Sequence, residues 1–327
     1  LMAVQTRTID YTDGGTGLEG YFAWDDAVSG ARPGVLIVHA WAGRSPFEEE
    51  VARKLAALGY AALAMDVYGK GVLGGGPEEN TKLMTPFLED RPMLQNRLKT
   101  GLQVLRDQAE TDAGKVAATG YCFGGLCVLD LARTGEDFQG AASFHGLFNK
   151  PGNTEVKAIK AKVLALHGWD DPMVPPADVV ALAEELTAAG ADWQIHGYGN
   201  TLHAFTNPEA NAPDMGAMYQ ADADRRRREE PRAHEVAEAA RVEAQRERGV
   251  VHLHGARRER ELRERERLAA RHGKVRRQLG AQRLLLLEPA EQESRRVEDG
   301  PHPPQQPRLV VEHERARARQ QRPPRRR

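Results

Sequence analysis

The feature that most constrains the fold is a regular alternation of short apolar runs and amphipathic stretches between residues 33 and 197. Such an alternation is typical of strands joined by right-handed helical crossovers in a mostly parallel sheet. The runs are continuously apolar, which predicts strands covered by helices on both faces. The predicted strands are GVLIVHA (34–40), YAALAMD (60–66), KVAATGY (115–121), GAASFH (140–145), KVLALHG (162–168) and DWQIHGY (192–198).

Turn and capping residues predict the elements around this sheet. RTIDY and LEGYFAW, separated by TDGGTG, predict an antiparallel hairpin at the sheet edge. The Ser45–Glu48 segment has the pattern of a capping box with proline at the first helical position, and Gly59 ends that helix. A second helix is bracketed by Pro176 and Gly190.

Two further segments complete the prediction. Leucines at helical spacing between Pro92 and Gln108 predict a helix packed against the sheet. The glycine-rich segment 68–80 lacks the spacings of phosphate-binding loops. It therefore predicts a lid or a simple connection.

Composition divides the chain near Arg225. All 19 Phe, Trp and Tyr residues lie between Tyr11 and Tyr219. Residues 1–225 hold 18 Lys+Arg and 30 Asp+Glu, a net charge of -12, whereas residues 226–327 hold 28 and 17, a net charge of +11. The first part is long enough for one single-core domain. Its acidity makes nucleic acid an unlikely partner.

The sequence also predicts where the protein works. The first twenty residues contain no apolar run with basic flanks and no small-residue cleavage site, so no secretory signal is expected. No stretch approaches the roughly 18 to 20 apolar residues of a membrane helix, so no membrane contact is expected either. We predict a cytoplasmic protein in which Cys122 and Cys127 are free thiols.

Cys122 follows a predicted strand within the pattern Gly120-x-Cys122-x-Gly124. Glycines on both sides allow a strand and a helix to approach closely around a tight turn that raises the central side chain. The start of the following helix would favour a thiolate. Cys122 is therefore a candidate nucleophile, and a small buried residue packed between glycines is the alternative.

Two other polar residues follow predicted strands in a matching order. Asp171 lies in the pattern G-x-x-D-x-x-V-P after the strand 162–168, and His203 lies in the loop after the last strand. The chain order Cys, Asp, His is that of the α/β-hydrolase triad. We predict Cys122 as nucleophile, His203 as general base and acid, and Asp171 as its orienting carboxylate, with Asp170 as the alternate acid.

The remaining site residues are predicted from their positions. The backbone N–H groups of Phe123 and Trp41 are candidate oxyanion donors, because acyl transfer needs two of them beside the nucleophile. His39 and His145 lie at strand ends and are candidates to border the pocket, with a packed or hydrogen-bonded structural role as the alternative. No metal ligand set and no cofactor site is predicted.

The motifs GYCFGG, HGWDDPMVP and TLHAFTNP, together with HAWAG, ALGYAALAMDVYGKG and YQADADRR, resemble those of the dienelactone hydrolase family. The resemblance runs from about residue 5 to 226. It implies an α/β-hydrolase fold with a mostly parallel central sheet and helices on both faces. It also implies a cysteine-dependent hydrolase of lactones or small carboxylic esters, with Cys122, Asp171 and His203 at the triad positions.

Two positions depart from that family's pattern. Ala40 stands where the family has a glutamate that holds the resting thiol, so we expect Cys122 to be ionised by His203 and the helix start even without substrate. Asn207 stands where the family has an arginine for the substrate carboxylate, which disfavours dienelactone itself as substrate. Ala40 and Asn207 are thus expected in the pocket.

The sequence predicts a hydrolase domain at residues 1–226, followed by a separate, Arg-rich tail at residues 227–327. Residues 226–327 hold 27 arginines but one lysine, a bias typical of GC-rich DNA read out of frame, so a frameshift is the favoured interpretation. A charged helical or disordered extension and a nucleic-acid-binding arm are the alternatives.

The sequence as a whole predicts a monomer or small homo-oligomer that hydrolyses a small ester or lactone through an acyl-thioester. A general carboxylesterase or thioesterase is the alternative within enzymes. A non-catalytic binding protein whose basic tail contacts nucleic acid is the alternative from another class.

Overall fold

The computed structural model describes residues 4–229. Eight strands form one sheet in the order β1-β2-β4-β3-β5-β6-β7-β8. β1 is antiparallel to β2 and β2 to β4, and the other neighbours are parallel. The sheet strands are β1 (Val4–Asp13), β2 (Thr16–Asp25), β3 (Arg32–Val38), β4 (Ala61–Met65), β5 (Thr111–Tyr121), β6 (Gly140–Phe144), β7 (Lys162–Gly168) and β8 (Trp193–Tyr198).

Within residues 4–229, six α-helices and a small hairpin accompany the sheet. They are α1 (Pro46–Ala57), α2 (Pro77–Glu89), α3 (Arg91–Arg106), α4 (Phe123–Arg133), α5 (Pro176–Ala188) and α6 (Ala221–Glu229), with β9 (Asn211–Ala212) and β10 (Ala217–Met218) forming the hairpin. α1 contacts β2, β3 and β4, whereas α3 and α4 contact β3 and β5. No helix in the described part of the chain is long and apolar enough to cross a membrane.

All six predicted parallel strands are present, and so is the edge hairpin. The hairpin turn is tighter than predicted, because Asp13 pairs with Thr16 and only Gly14 and Gly15 connect the strands. Both glycines have positive φ, at 55° and 83°. Two residues with positive φ match the twist of paired strands, which explains why glycine stands at both positions.

The helix starts follow the predicted local chemistry. Ser45 caps α1 through a complete capping box with Glu48, and Gly59, with φ 91°, follows its last turn. In α3 the predicted leucine stripe is buried against the sheet: Leu94, Leu98, Leu102 and Leu105 are at most 1% exposed. Burying each such side chain contributes roughly 1.5 to 3 kcal/mol, so this stripe fixes α3 on its face of the sheet.

One helix was not predicted. The glycine-rich segment 68–80 ends in α2, which begins at Pro77 and continues through an internal Pro86. A proline inside a helix and a preceding run of glycines both disfavour a helix in sequence patterns. The prediction of a simple connection or lid over 68–80 is therefore wrong for its last four residues.

The described residues end with α6. Ala223 of α6 packs with Leu164, Leu166, Tyr198 and Phe205, so the helix covers the β7–β8 end of the sheet. Most of the predicted tail, residues 227–327, lies outside the described residues, which end at Glu229.

Candidate active site

The structure brings the three predicted triad residues to one edge of the sheet. Cys122 directly follows β5, Asp171 lies three residues beyond β7, and His203 lies in the loop after β8. β5, β7 and β8 are parallel, so their carboxyl ends meet at the same edge. This shared edge is what assembles side chains that are distant in sequence.

Cys122 sits on a strained turn between β5 and α4. Its φ of 55° and ψ of -116° are unusual for a residue with a side chain, and it occupies the N-cap position of α4. A Cβ at Gly124 would overlap the carbonyl oxygen of Val38, and one at Gly120 would overlap that of Gly124. The flanking glycines are thus required by close backbone approach, as predicted.

Asp171 and His203 form a buried pair. His203 Nδ1 and Asp171 Oδ2 are 2.7 Å apart, and the residues are 3% and 2% exposed. The backbone N–H of Met173 donates to Asp171 Oδ1 over 2.9 Å. The carboxylate therefore accepts the Nδ1 proton, which leaves Nε2 of His203 available for chemistry.

The environment of His203 favours its charged form. Burial by itself lowers the pKa of His203, but the negative charge of Cys122 and the hydrogen bond to Asp171 outweigh it and raise the pKa to about 10. Nε2 is buried, and a side-chain hydrogen bond with Cys122 is among the causes that raise this pKa. The arrangement therefore favours the imidazolium form of His203 beside Cys122.

A cavity of about 450 Å³ opens onto Cys122 and His203. Much of its lining is apolar, with Trp41, Phe47, Met84, Leu147, Met173 and Met215 among the larger side chains. Ala40, His145 and Asn207, the predicted pocket candidates, are among its lining residues. No lysine or arginine is among the described residues that line this cavity.

The prediction that His39 borders the pocket is wrong. It is fully buried and is not among the residues lining the cavity. Its Nδ1 lies 2.6 Å from the carbonyl oxygen of Ala40, and its Nε2 accepts the backbone N–H of Val67 over 3.1 Å. His39 therefore ties the end of β3 to the segment after β4, which is the structural alternative named for it.

The predicted oxyanion donors have compatible positions. Trp41 lines the cavity, and Phe123 is the first residue of α4, immediately after Cys122. The role of their N–H groups stays a prediction. Among residues 4–229 there is no cluster of three or more His, Cys, Asp or Glu side chains that would hold a metal ion.

Sequence reasoning missed a buried carboxylate in the cavity wall. Glu48 is 2% exposed and lines the cavity. Its Oε1 accepts the backbone N–H of Ala40 over 3.3 Å, and its Oε2 accepts that of Ser45 over 2.9 Å. The capping-box pattern predicted that Glu48 lies at the start of α1, but it did not predict how α1 is oriented relative to the cavity. A carboxylate thus reaches the Ala40 segment from another element.

Comparisons with known proteins agree with this fold. The sequence profile of the Dienelactone hydrolase family matches residues 18–233. The chain is 29% identical over 208 residues to Protein usf of Aquifex pyrophilus, covering 62% of this chain and 87% of that protein. It is 28% identical over 202 residues to a putative carboxymethylenebutenolidase of Yersinia pestis, covering 58% and 75%.

A comparison with solved structures also identifies a dienelactone hydrolase-like protein. A dienelactone hydrolase-like promiscuous phosphotriesterase from metagenomic libraries is 38% identical with a TM-score of 0.64, covering 68% of this chain and 94% of its own. The profile match spans more than half of the chain and includes Cys122, Asp171 and His203. The chain therefore belongs to the dienelactone hydrolase family of α/β-hydrolases, enzymes that hydrolyse ester and lactone bonds.

Proposed function

We propose that this protein hydrolyses small carboxylic esters and lactones through a covalent acyl-thioester on Cys122. The observation that carries the proposal is the strained Cys122 turn at the start of α4, beside the buried His203–Asp171 pair. A thiol at a helix N-terminus next to an imidazolium is an activated nucleophile. The strained backbone holds its sulfur toward the cavity rather than in the core.

The reaction follows from these positions. The Cys122 sulfur bonds to the substrate carbonyl carbon, and the leaving alkoxide takes a proton from Nε2 of His203. The resulting thioester is then attacked by water, whose proton passes to His203, and Cys122 departs as thiolate with release of the acid. Asp171 keeps the imidazole in the tautomer that both steps need.

The tetrahedral intermediates carry a negative oxygen. We assign its stabilisation to the backbone N–H of Phe123, at the start of α4, and to that of Trp41 in the cavity wall. Two fixed donors in a partly dehydrated site stabilise developing charge more than water does, because they need no reorganisation. The positive end of the α4 dipole adds to their effect.

The charge of the cavity points to a neutral substrate. Its described lining has a buried carboxylate, Glu48, and no lysine or arginine to pair with an anion. A substrate carboxylate would lose its hydration without gaining a partner, which costs free energy. Neutral esters and lactones with apolar acyl groups therefore fit best, in agreement with the expectation drawn from Asn207.

Two ester substrates of similar size test this charge preference. We expect kcat/KM for p-nitrophenyl butyrate to exceed that for mono-p-nitrophenyl succinate, which carries a carboxylate, by about tenfold or more. Glu48→Gln should narrow the ratio several-fold, whereas Glu50→Gln, an exposed residue of α1, should leave it unchanged. An enzyme that prefers the succinate ester would contradict the assignment.

Hydrolysis of neutral phosphotriesters is a second candidate activity. It is supported by the largely apolar lining, which includes no lysine or arginine among its described residues, and by the 38% identity to a structure described as a promiscuous phosphotriesterase. We expect the enzyme to release p-nitrophenolate from paraoxon more slowly than from p-nitrophenyl butyrate. Release no faster than that by the Cys122→Ala variant would exclude this activity.

The proposal extends to the setting of the enzyme. A nucleophilic thiol needs reducing surroundings, which supports a cytoplasmic location. The chemistry needs no metal or organic cofactor, because nucleophile, base and carboxylate are all side chains.

Residues 1–226 then form the catalytic domain, acting as a monomer or small homo-oligomer. The nucleic-acid-binding alternative depends on residues beyond Glu229, whereas the hydrolase proposal does not.

A further inference from the structure

A second histidine contacts the Cys122 turn from the neighbouring strand. His145 immediately follows β6, which pairs with β5 up to the register Tyr121–Phe144. It is 3% exposed and has a φ of 40°, so its backbone is in the left-handed region although it is not glycine. Such strain in a buried residue is kept where the surrounding structure requires that side-chain direction.

The ring of His145 bridges two loops. Its Nδ1 accepts the backbone N–H of Cys122 over 3.2 Å, an N–H that is also directed at the carbonyl oxygen of Phe144 over 3.0 Å. Its Nε2 lies 2.8 Å from the hydroxyl oxygen of Thr206, which follows His203 by three residues. One rigid ring therefore connects the backbone of Cys122 with the loop that carries His203.

These contacts fix the tautomer and the charge of His145. Because Nδ1 accepts an N–H, the proton of the neutral ring must be on Nε2, from which it donates to Thr206. Burial, followed by the positive charges of His203 and Arg227, holds the pKa of His145 well below its usual value. A protonated ring would direct an N–H at the N–H of Cys122, so the neutral state is the one that fits.

The ring also limits the movement of His203. The rings of His145 and His203 pack edge to face with centroids 5.1 Å apart. Phe205, between His203 and Thr206 in the chain, packs against His145 on another side at 5.5 Å. The loop of His203 is thus held to His145 by one hydrogen bond and two ring contacts.

We propose that His145 is a positioning residue, which sets the separation between Cys122 and Nε2 of His203 by linking the Cys122 backbone to the Thr206 hydroxyl. The inference rests on Cys122 and His203 acting as proposed above. His145 itself exchanges no proton with the substrate. A misplacement of about 1 Å at a reacting group can cost on the order of 10²-fold in rate, so a spacer of this kind has a measurable effect.

A matched pair of substitutions tests the role. His145→Ala removes both hydrogen bonds, whereas the side-chain oxygen of His145→Asn can accept the Cys122 N–H and asparagine tolerates positive φ. With p-nitrophenyl butyrate we expect His145→Ala to lower kcat about 10- to 100-fold with KM changed less than threefold, and His145→Asn, which keeps one of the two hydrogen bonds, to recover part of the loss. Equal impairment by both variants would overturn the proposal.

A second readout separates positioning from folding. Iodoacetamide alkylation of Cys122 requires no substrate, and its rate at pH 6 to 7 reports how well His203 supports the thiolate. In His145→Ala this rate should fall and the pH profile of alkylation should move to higher pH. An unchanged profile would overturn the proposal even where kcat falls. Cys127 is the folding control, because it is fully buried in the folded protein and becomes accessible to iodoacetamide when the chain unfolds.

A third variant covers the case in which His145→Ala does not fold. Thr206→Val keeps the size of the side chain but removes the hydroxyl that accepts from Nε2. We expect the same direction of change in kcat and in the alkylation profile, at smaller size, and wild-type values in both would overturn the proposal. An active Cys122→Ala enzyme would instead reject the proposed function. If Cys122→Ala is inactive but His145→Ala and Thr206→Val both behave like the wild-type enzyme, only this inference is rejected.

Discussion

Replacing Cys122 with alanine should lower kcat/KM for p-nitrophenyl butyrate by about 10³-fold or more. The reason is that the acyl-thioester no longer forms, and only binding and oxyanion stabilisation remain. Cys127→Ala is the matched control, because Cys127 is fully buried in the core and lies outside the cavity lining. We expect that variant to keep activity within a few-fold of the wild type.

Thiol labelling gives an independent measure of the same change. Iodoacetamide should modify Cys122 alone in the folded protein, since burial, together with the charge of Asp130, raises the pKa of Cys127 well above that of an ordinary thiol. Mass spectrometry after brief labelling should find one adduct in the wild type and none in Cys122→Ala. A fully active alanine variant would show that Cys122 is not the nucleophile.

The same substitution should change the titration of His203. The charge of Cys122 raises the pKa of His203, so Cys122→Ala should lower that pKa well below 10, as read from the imidazole signals by NMR. The folded pKa lies above the unfolded value of about 6.5. Proton binding at His203 therefore stabilises the fold fully below pH 6.5, and this contribution is lost as the pH rises toward 10. In Cys122→Ala this stabilisation should be lost at a lower pH than in the wild type, because the pKa of His203 is lower there.

The sheet was predictable because its strands carry strong local signals. The residues at which the strands begin and end were less predictable. The prediction for the central strand began at residue 115, whereas β5 begins at Thr111. Thr111 and Asp112 pair with Arg32 and Pro33 before the register shifts at Gly34. A strand extension across an irregular register depends on the neighbouring strand, so no pattern within residues 111–114 indicates it.

The site was predictable to the extent that it depends on strand ends. Cys122 and His203 each follow a strand, and parallel strands bring their carboxyl ends together, so chain order was sufficient. The contacts of Glu48 and His145 depend on side-chain directions that strand and helix patterns do not give. Glu48 was recognised only as a helix cap, and the contact of His145 with Thr206 joins residues 61 positions apart.

A buried ion cluster behind the Cys122 helix leads to the largest expected effect on stability. Asp130 of α4 is fully buried and accepts two hydrogen bonds from Arg91 of α3, at 2.6 and 2.7 Å. Arg133 donates to Asp130 over 2.9 Å and also pairs with Glu185 of α5 over 2.7 Å. Asp130 and Glu185 thus neutralise two buried guanidinium groups, and the cluster links α3, α4 and α5.

Asp130→Ala should therefore lower the free energy of unfolding by about 3 to 5 kcal/mol, because it leaves Arg91 buried without a counter-charge. A typical domain has only about 5 to 15 kcal/mol in total, so the loss should be evident as a lower urea midpoint. Glu78→Gln breaks the exposed pair with Lys82 and is the matched control, with a far smaller change expected. Raising the salt concentration should remove the effect of the control but not that of Asp130, since solvent ions do not screen the buried cluster. Equal midpoints for the two variants would show that Asp130 does not hold the three helices together.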